Sequence, residues 1–135
     1  MMLRKIASVS ILAFSASTSL LLSSPALASR HCKDVYLKVI NNTGNEIKVI
    51  DLDYYDPAYQ KWRSEPVPNE VIPNNQVWQE TRRLENVNQK NIRIRVEYRI
   101  PDSDRMGGWS REVFTKESSP RQICSPGTIY EITLT

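Results

Sequence analysis

Two cysteines place the strongest constraint on how this 135-residue chain folds. Cys32 and Cys124 are the only cysteines, and the segment before them has the features of an export signal. Exported proteins reach oxidising compartments, where disulfides form and persist. We therefore predict a Cys32–Cys124 disulfide that closes a loop of about 90 residues, worth roughly 4–5 kcal/mol in the chain-entropy model. Neither a CxxC spacing nor a histidine cluster indicates a redox-active or metal-binding pair.

Residues 1–28 are predicted to be a cleaved signal peptide. Arg4 and Lys5 precede an apolar run over residues 6–22, and residues 25–28 (Pro-Ala-Leu-Ala) have the A-x-A spacing of a cleavage site. The apolar run, about 17 residues interrupted by serines, is short for a membrane span. We therefore expect a secreted or periplasmic protein with no stable membrane insertion after cleavage.

The remaining residues, 29–135, have the length of a single domain. Cleavage removes two basic side chains and no acidic one, which leaves 16 basic and 15 acidic side chains and a formal net charge of +1. A balance so close to neutrality does not favour binding to a polyanion. We therefore expect no nucleic-acid partner.

The exported segment alternates between short runs of β-forming residues and turn residues, without the pattern of an amphipathic helix. In the clearest run, residues 91–100, five apolar residues alternate with Arg93, Arg95, Glu97 and Arg99. Such a period of two indicates a strand with one buried and one solvated face. About seven strands are predicted, over residues 34–40, 46–55, 61–65, 76–84, 91–100, 109–116 and 128–134.

Two segments depart from regular alternation. In the second predicted strand, Ile47 and Val49 have one phase, whereas Leu52 and Tyr54 have the other. A slip of this kind predicts a β-bulge or a change of partner sheet. Residues 66–75 contain three prolines, which lack the N–H that a strand ladder requires, so this segment is predicted to be a surface connection.

The cysteine positions also restrict the strand directions. Cys32 lies two residues before the first predicted strand, and Cys124 lies four residues before the last. Because a disulfide requires Cα atoms within about 7 Å, the two strands must start at the same end and run parallel. We therefore predict an all-β fold, a small antiparallel β-sandwich in an immunoglobulin-like arrangement. No motif indicates a particular family.

The exported segment lacks the residues of common catalytic sites. His31 is its only histidine, whereas a triad needs a positioned base and a zinc site needs several His or Cys ligands. Gly107-Gly108 lacks the Lys and Ser/Thr of a phosphate-binding loop. We predict no enzymatic activity, no catalytic residue and no cofactor. A small hydrolase with two carboxylates stays open as an alternative, because sequence does not show whether two acids converge.

Arginines on one strand face form the first candidate binding surface. Arg93, Arg95 and Arg99 share the solvated face of the clearest strand, and arginine forks onto carboxylate, phosphate or sulfate groups. The alternative is an ordinary solvated sheet face with cross-strand ion pairs, each worth a few tenths of a kcal/mol.

An aromatic segment forms the second candidate surface. Tyr55, Tyr59, Trp62 and Arg63 lie within nine residues of one another. Aromatic residues with polar neighbours build sugar platforms and protein hot spots. The alternative is that these rings pack in the core and in loops; because neighbouring residues of a strand point to opposite faces, one of Tyr54 and Tyr55 is expected in the core.

Asp51, Asp53 and Asp56 lie near the end of a predicted strand and offer oxygen ligands to calcium. Aspartates also end strands and start turns by accepting hydrogen bonds from backbone amides. We favour the second explanation and predict no metal site, and calcium binding by these three residues stays open as the alternative.

These patterns predict an exported, non-catalytic binding module that recognises a protein or glycan partner of unknown identity. The main alternative is a structural or assembly subunit that pairs with a partner through a sheet edge. An exposed aromatic patch would favour the first, and a long uncovered edge strand would favour the second. The sequence does not indicate an oligomeric state.

Overall fold

A computed structural model of the protein describes residues 29–135, and the predicted signal peptide lies outside the described residues. All regular structure in residues 29–135 is β-strand, so this part of the chain has no helix long and apolar enough to cross a membrane. The strands are β1 (Cys32–Asn41), β2 (Ile47–Asp56), β3 (Lys61–Ile72), β4 (Val77–Leu84), β5 (Asn91–Ile92), β6 (Ile94–Arg99), β7 (Pro101–Asp102), β8 (Gly108–Trp109), β9 (Phe114–Glu117), β10 (Gln122–Ile123) and β11 (Ile129–Leu134).

Two main sheets contain all seven strands of four or more residues. A three-stranded sheet has the order β11-β1-β4, and a four-stranded sheet has the order β3-β2-β6-β9. Every neighbouring pair in them is antiparallel except β1 and β11, which run parallel. The parallel pairing of the first and last strands, predicted from the cysteine positions, is therefore confirmed.

The two sheets share one hydrophobic core. Alternate residues of β1 and β2, such as Val35, Leu37, Leu52 and Tyr54, are almost fully buried in this core. Alternation places their neighbours on the opposite face of each sheet, where most side chains are half-buried or exposed, although Asp53 is buried. The outward faces and the sheet edges are therefore the surfaces that remain for contacts with other molecules.

The predicted disulfide is confirmed. Cys32 and Cys124 are bonded, fully buried, 92 residues apart in sequence, and their Cα atoms lie 6.1 Å apart. The bond joins the start of β1 to the segment that leads into β11. It thereby fixes the ends of the two parallel strands beside each other.

The predicted slip in β2 is also confirmed. The pairing of β2 with both β3 and β6 shifts register between Val49 and Asp51. The shift returns alternate residues to the core after the bulge. It also lets β2 present Asp51, Asp53 and Tyr55 on the outward face of the four-stranded sheet.

The prediction of a surface connection over residues 66–75 is wrong for most of its length. Strand β3 continues to Ile72, although it contains Pro66 and Pro68. An edge strand tolerates proline because half of its N–H groups need no partner. Opposite the β2 bulge, β3 also has an irregularity of its own, in which Val67 is buried in the core.

Candidate binding face

The outward face of the four-stranded sheet brings the two predicted surfaces together. The β2–β3 register sets Tyr55 opposite Trp62, and the Tyr55 N–H donates a 3.0 Å hydrogen bond to the carbonyl of Arg93. The β2–β6 register sets Asp53 opposite Arg95 one row further along. Two aromatic rings and two guanidinium groups, distant in sequence, therefore become neighbours.

These four side chains stack on one another. The Tyr55 and Trp62 rings meet edge to face, with centroids 5.4 Å apart and planes at 72°. The Arg93 guanidinium lies 5.1 Å from the Tyr55 ring centre and 5.2 Å from that of Trp62. The Arg95 guanidinium lies 4.3 Å from the Trp62 ring centre. All four distances are within the range of cation–π and aromatic attraction. We call these four residues the arginine–aromatic face.

Carboxylates hold both guanidinium groups from the side. Arg95 donates from Nε (3.0 Å) and from its second terminal nitrogen (2.9 Å) to one oxygen of Asp53. The Nε of Arg93 lies 3.0 Å from an oxygen of Glu117, without the alignment of a hydrogen bond. Both arginine side chains keep about a quarter of their surface exposed. Since arginine has five N–H donors, Arg95 keeps donors that its two hydrogen bonds to Asp53 do not use.

Tyr59 and Arg63 form a separate pair at the β2–β3 turn. Arg63 is opposite Tyr54, which places it on the core side of β3. Its Nε donates to the fully buried carboxylate of Asp56 at 2.7 Å. Tyr59 is 63% exposed, and the Arg63 guanidinium lies 5.1 Å from its ring centre. These two residues adjoin the end of the sheet but do not belong to the arginine–aromatic face.

Arg99 lies apart from the other predicted residues. It is six positions from Arg93 along the same strand direction, which corresponds to about 20 Å. One terminal nitrogen of Arg99 donates to the carbonyls of Ser110 and Arg111, both at 2.6 Å. The guanidinium of Arg99 therefore fixes the loop after β8.

Three carboxylates converge beside the arginine–aromatic face. Ligand oxygens of Asp51, Asp53 and Glu97 lie within 4.8 Å of one another, whereas Asp56 is on the other side of the sheet with Arg63. Burial raises the pKa of Asp53, although Arg95 acts in the opposite direction. Burial, and then the charge of Asp53, raise the pKa of Glu97. A cation here would have to compete with Arg95 for Asp53, so we assign no metal to these carboxylates.

Three clefts lie outside this face. A cleft of about 710 Å³ at the opposite end of the four-stranded sheet is lined by Tyr98, Trp109 and Phe114. A second cleft, of about 720 Å³, includes Tyr59, and a third lies between the ends of β3 and β4. None of these three clefts is lined by the arginine–aromatic face or by the three converging carboxylates. The first cleft has carboxylates of its own, Glu46 and Asp102, so the hydrolase alternative stays a prediction that the clefts do not test.

Neither Glu97 nor Glu117 was predicted as a binding residue, and Asp53 was considered as a calcium ligand or as an acceptor of backbone hydrogen bonds at a strand end. Glu97 does alternate in phase with Arg95, which is a usable signal. The position of Glu117 depends on the pairing of β6 with β9, for which the residues themselves carry no comparable pattern.

Comparisons with protein-family models, with curated proteins and with solved structures returned no match for this chain.

Proposed function

We propose that this protein is an exported, non-catalytic binding module that recognises a partner protein through its arginine–aromatic face. The observation that carries the proposal is the stacking of Arg93 and Arg95 on Tyr55 and Trp62. Tryptophan, tyrosine and arginine are the residues most enriched among the hot spots of protein interfaces. Two aromatic residues and two arginines lie here within one continuous patch.

The proposal includes the architecture and the compartment. Residues 29–135 form an immunoglobulin-like β-sandwich, which the parallel β1–β11 pair and the single core shared by two sheets support. Residues 1–28 direct export and are removed, and the buried disulfide supports an oxidising compartment, secreted or periplasmic. Mass spectrometry of protein recovered outside the cytoplasm tests this part, and we expect its chain to start at Ser29.

The stacking supports a protein partner over a glycan. A sugar ring binds to an aromatic residue by lying on its face, but the Arg95 guanidinium already lies over Trp62 at 4.3 Å. The face also lies outside the three clefts, whereas small-molecule sites are concave. The stack instead holds two guanidinium groups in fixed positions, and this reduces the entropy lost when they bind a carboxylate.

Capture experiments with two matched variants test the proposed partner site. The exported protein is immobilised as wild type, as the double variant Arg93→Gln/Arg95→Gln, and as the control Arg111→Gln, which changes an exposed arginine remote from the face. Proteins captured from the compartment that contains the module are identified by mass spectrometry. We expect one partner to be retained by wild type and by the control, with affinity at least about tenfold weaker for the double variant.

A sulfated glycan such as heparin serves as the competing probe. If the double variant retained the partner as well as wild type does, the assignment of the face would be wrong. If wild type bound heparin through Arg93 and Arg95 and captured no protein, the partner class would be wrong, while the site would stand.

A further inference from the structure

Strand β4 has an edge to which no other strand is bound. It is the outer strand of the three-stranded sheet, next to β1. The Asn41 N–H donates to the carbonyl of Gln76 at 3.0 Å, which fixes the hydrogen-bonding phase of this antiparallel pair. Even-numbered residues of β4 therefore bond to β1. The odd-numbered residues therefore direct their N–H and C=O groups away from β1, towards the open edge; these residues are Val77, Gln79, Thr81 and Arg83.

The other edge strands with long ladders are partly blocked. Strand β3 contains Pro66 and Pro68, and the carbonyl of Pro66 accepts a 3.3 Å hydrogen bond from Arg82. On β11, the carbonyl of Ile129 accepts a hydrogen bond from the Gln122 side chain at 3.1 Å. Prolines and side-chain contacts of this kind protect edges against unintended pairing. Strand β4 has no proline, and among residues 29–135 nothing bonds to its outward backbone groups.

We propose that β4 pairs antiparallel with β4 of a second copy of this chain, about a two-fold axis at Thr81. This symmetric pairing sets Thr81 opposite Thr81 and joins the two three-stranded sheets into one. In this register each odd-numbered residue of β4 faces another odd-numbered residue, and each of these facing pairs exchanges two hydrogen bonds. The contact is isologous, as expected for a two-fold dimer.

The charge pattern of β4 selects both this partner and this register. Within each copy, Arg82 already pairs with Glu80 and lies 3.7 Å from Glu65. With Thr81 on the axis, Glu80 of each copy also lies opposite Arg82 of the other, which extends this charge network across the axis, and Trp78 lies opposite Leu84. Moving the axis by one residue in either direction keeps backbone bonding possible but sets Glu80 against Glu80 or Arg82 against Arg82. Like charges in facing positions destabilise a strand pair. The strand is thus complementary to itself in one register.

This inference is independent of the binding function proposed above, because the arginine–aromatic face belongs to the other main sheet. Two copies joined at β4 would leave Trp62 and Arg95 of both copies free to bind partners. The dimer would then be bivalent, and bivalency strengthens binding to a partner that repeats its epitope.

Sedimentation velocity of the exported protein, from about 1 µM to 1 mM, tests the dimer directly. We expect a concentration-dependent monomer–dimer equilibrium whose dissociation constant rises at least about tenfold in Thr81→Pro. The proline removes an N–H that points to solvent in the monomer, so the fold should be unaffected. Thr81→Lys is the second variant: it leaves the exposed backbone intact and sets two positive charges opposite each other on the axis.

Cross-linking locates the contact. Thr81→Cys places one cysteine in each copy at the axis, with Cα atoms about 5.5 Å apart. A short bismaleimide should therefore join the two thiols. Thr115→Cys, an exposed threonine on the edge strand β9, is the matched control and should not cross-link. The native cysteines are buried and bonded to each other, so they do not react. A monomer at every concentration, a dimer unaffected by both Thr81 variants, or equal cross-linking at both positions would each overturn the proposal.

Discussion

Charged side chains are paired differently on the inner and outer faces of the four-stranded sheet. On the inner side, the fully buried Asp56 carboxylate has one guanidinium partner, Arg63, and also accepts the Ala58 N–H at 3.0 Å. On the outer side, Arg95 pairs with Asp53, but two further carboxylates lie within reach. The Asp56–Arg63 pair is matched one to one and fixes a turn. On the outer face, carboxylates outnumber guanidinium groups beside the stacked aromatic rings. A cluster of carboxylates of this kind responds to pH and to ligands.

The largest loss of stability is expected from a substitution on the inner side, at the buried disulfide. Cys124→Ser removes the disulfide that closes a 92-residue separation. The unfolded chain regains the conformational freedom that the bond removes, so the melting temperature should fall by at least about 10 °C. Circular dichroism melts of the variant and of reduced wild-type protein measure this loss. An unchanged melting curve would show that the β1–β11 pair does not depend on the disulfide.

The two arginine–aspartate pairs provide a direct test of the comparison. Arg63→Gln leaves the Asp56 carboxylate buried without a cationic partner, and we expect a loss of about 3 kcal/mol in the free energy of unfolding. Arg95→Gln removes a partner from Asp53 on the solvent-facing side of the sheet, where burial already raises the pKa of Asp53 and the loss of Arg95 raises this pKa further. We expect that change to cost about 1 kcal/mol or less.

Urea unfolding at neutral pH measures both losses under one condition. Each variant replaces an arginine whose side chain is about one quarter exposed, so the two substitutions are matched in chemistry and in surface position. Equal losses would remove the distinction between a structural inner pair and an adjustable outer pair. A larger loss for Arg95→Gln would reverse it.

Local sequence patterns predicted the parts of this fold that depend on local geometry. The change of phase between Val49 and Leu52 predicted the bulge in β2, and the cysteine spacing predicted the parallel β1–β11 pair. The extent of β3 was missed because Pro66 and Pro68 were taken to prevent a strand. Whether proline is tolerated depends on whether its strand lies at a sheet edge, and that is a property of the whole sheet order.

The arginine–aromatic face was predicted in its components but not in its assembly. Alternation identified Arg93 and Arg95 as solvated, and the pairing of neighbours assigned one of Tyr54 and Tyr55 to the core, which is Tyr54. The contact of Arg95 with Trp62 depends on two strand registers, β2 with β3 and β2 with β6. Register is specified by turns and by the buried face together, so residues over 30 positions apart do not reveal such a contact in sequence.

The smallest effect is expected on the outer face, at Glu97. Burial and Asp53 raise the pKa of Glu97 above its ordinary value of 4.5, so the folded state holds this proton to a higher pH than the unfolded state does. Protonation of Glu97 therefore contributes stability that is complete below about pH 4 and is lost as pH rises through the folded-state pKa. Glutamine is neutral at every pH, so the Glu97→Gln variant does not lose this contribution. Its melting temperature should therefore equal that of wild type near pH 3.5 and exceed it slightly at pH 7. Glu112→Gln, at an exposed carboxylate, is the control and should follow wild type throughout. A Glu97→Gln variant less stable than wild type at pH 7 would mean that the three outer carboxylates are not in excess, and the contrast between the two faces would then rest on burial alone.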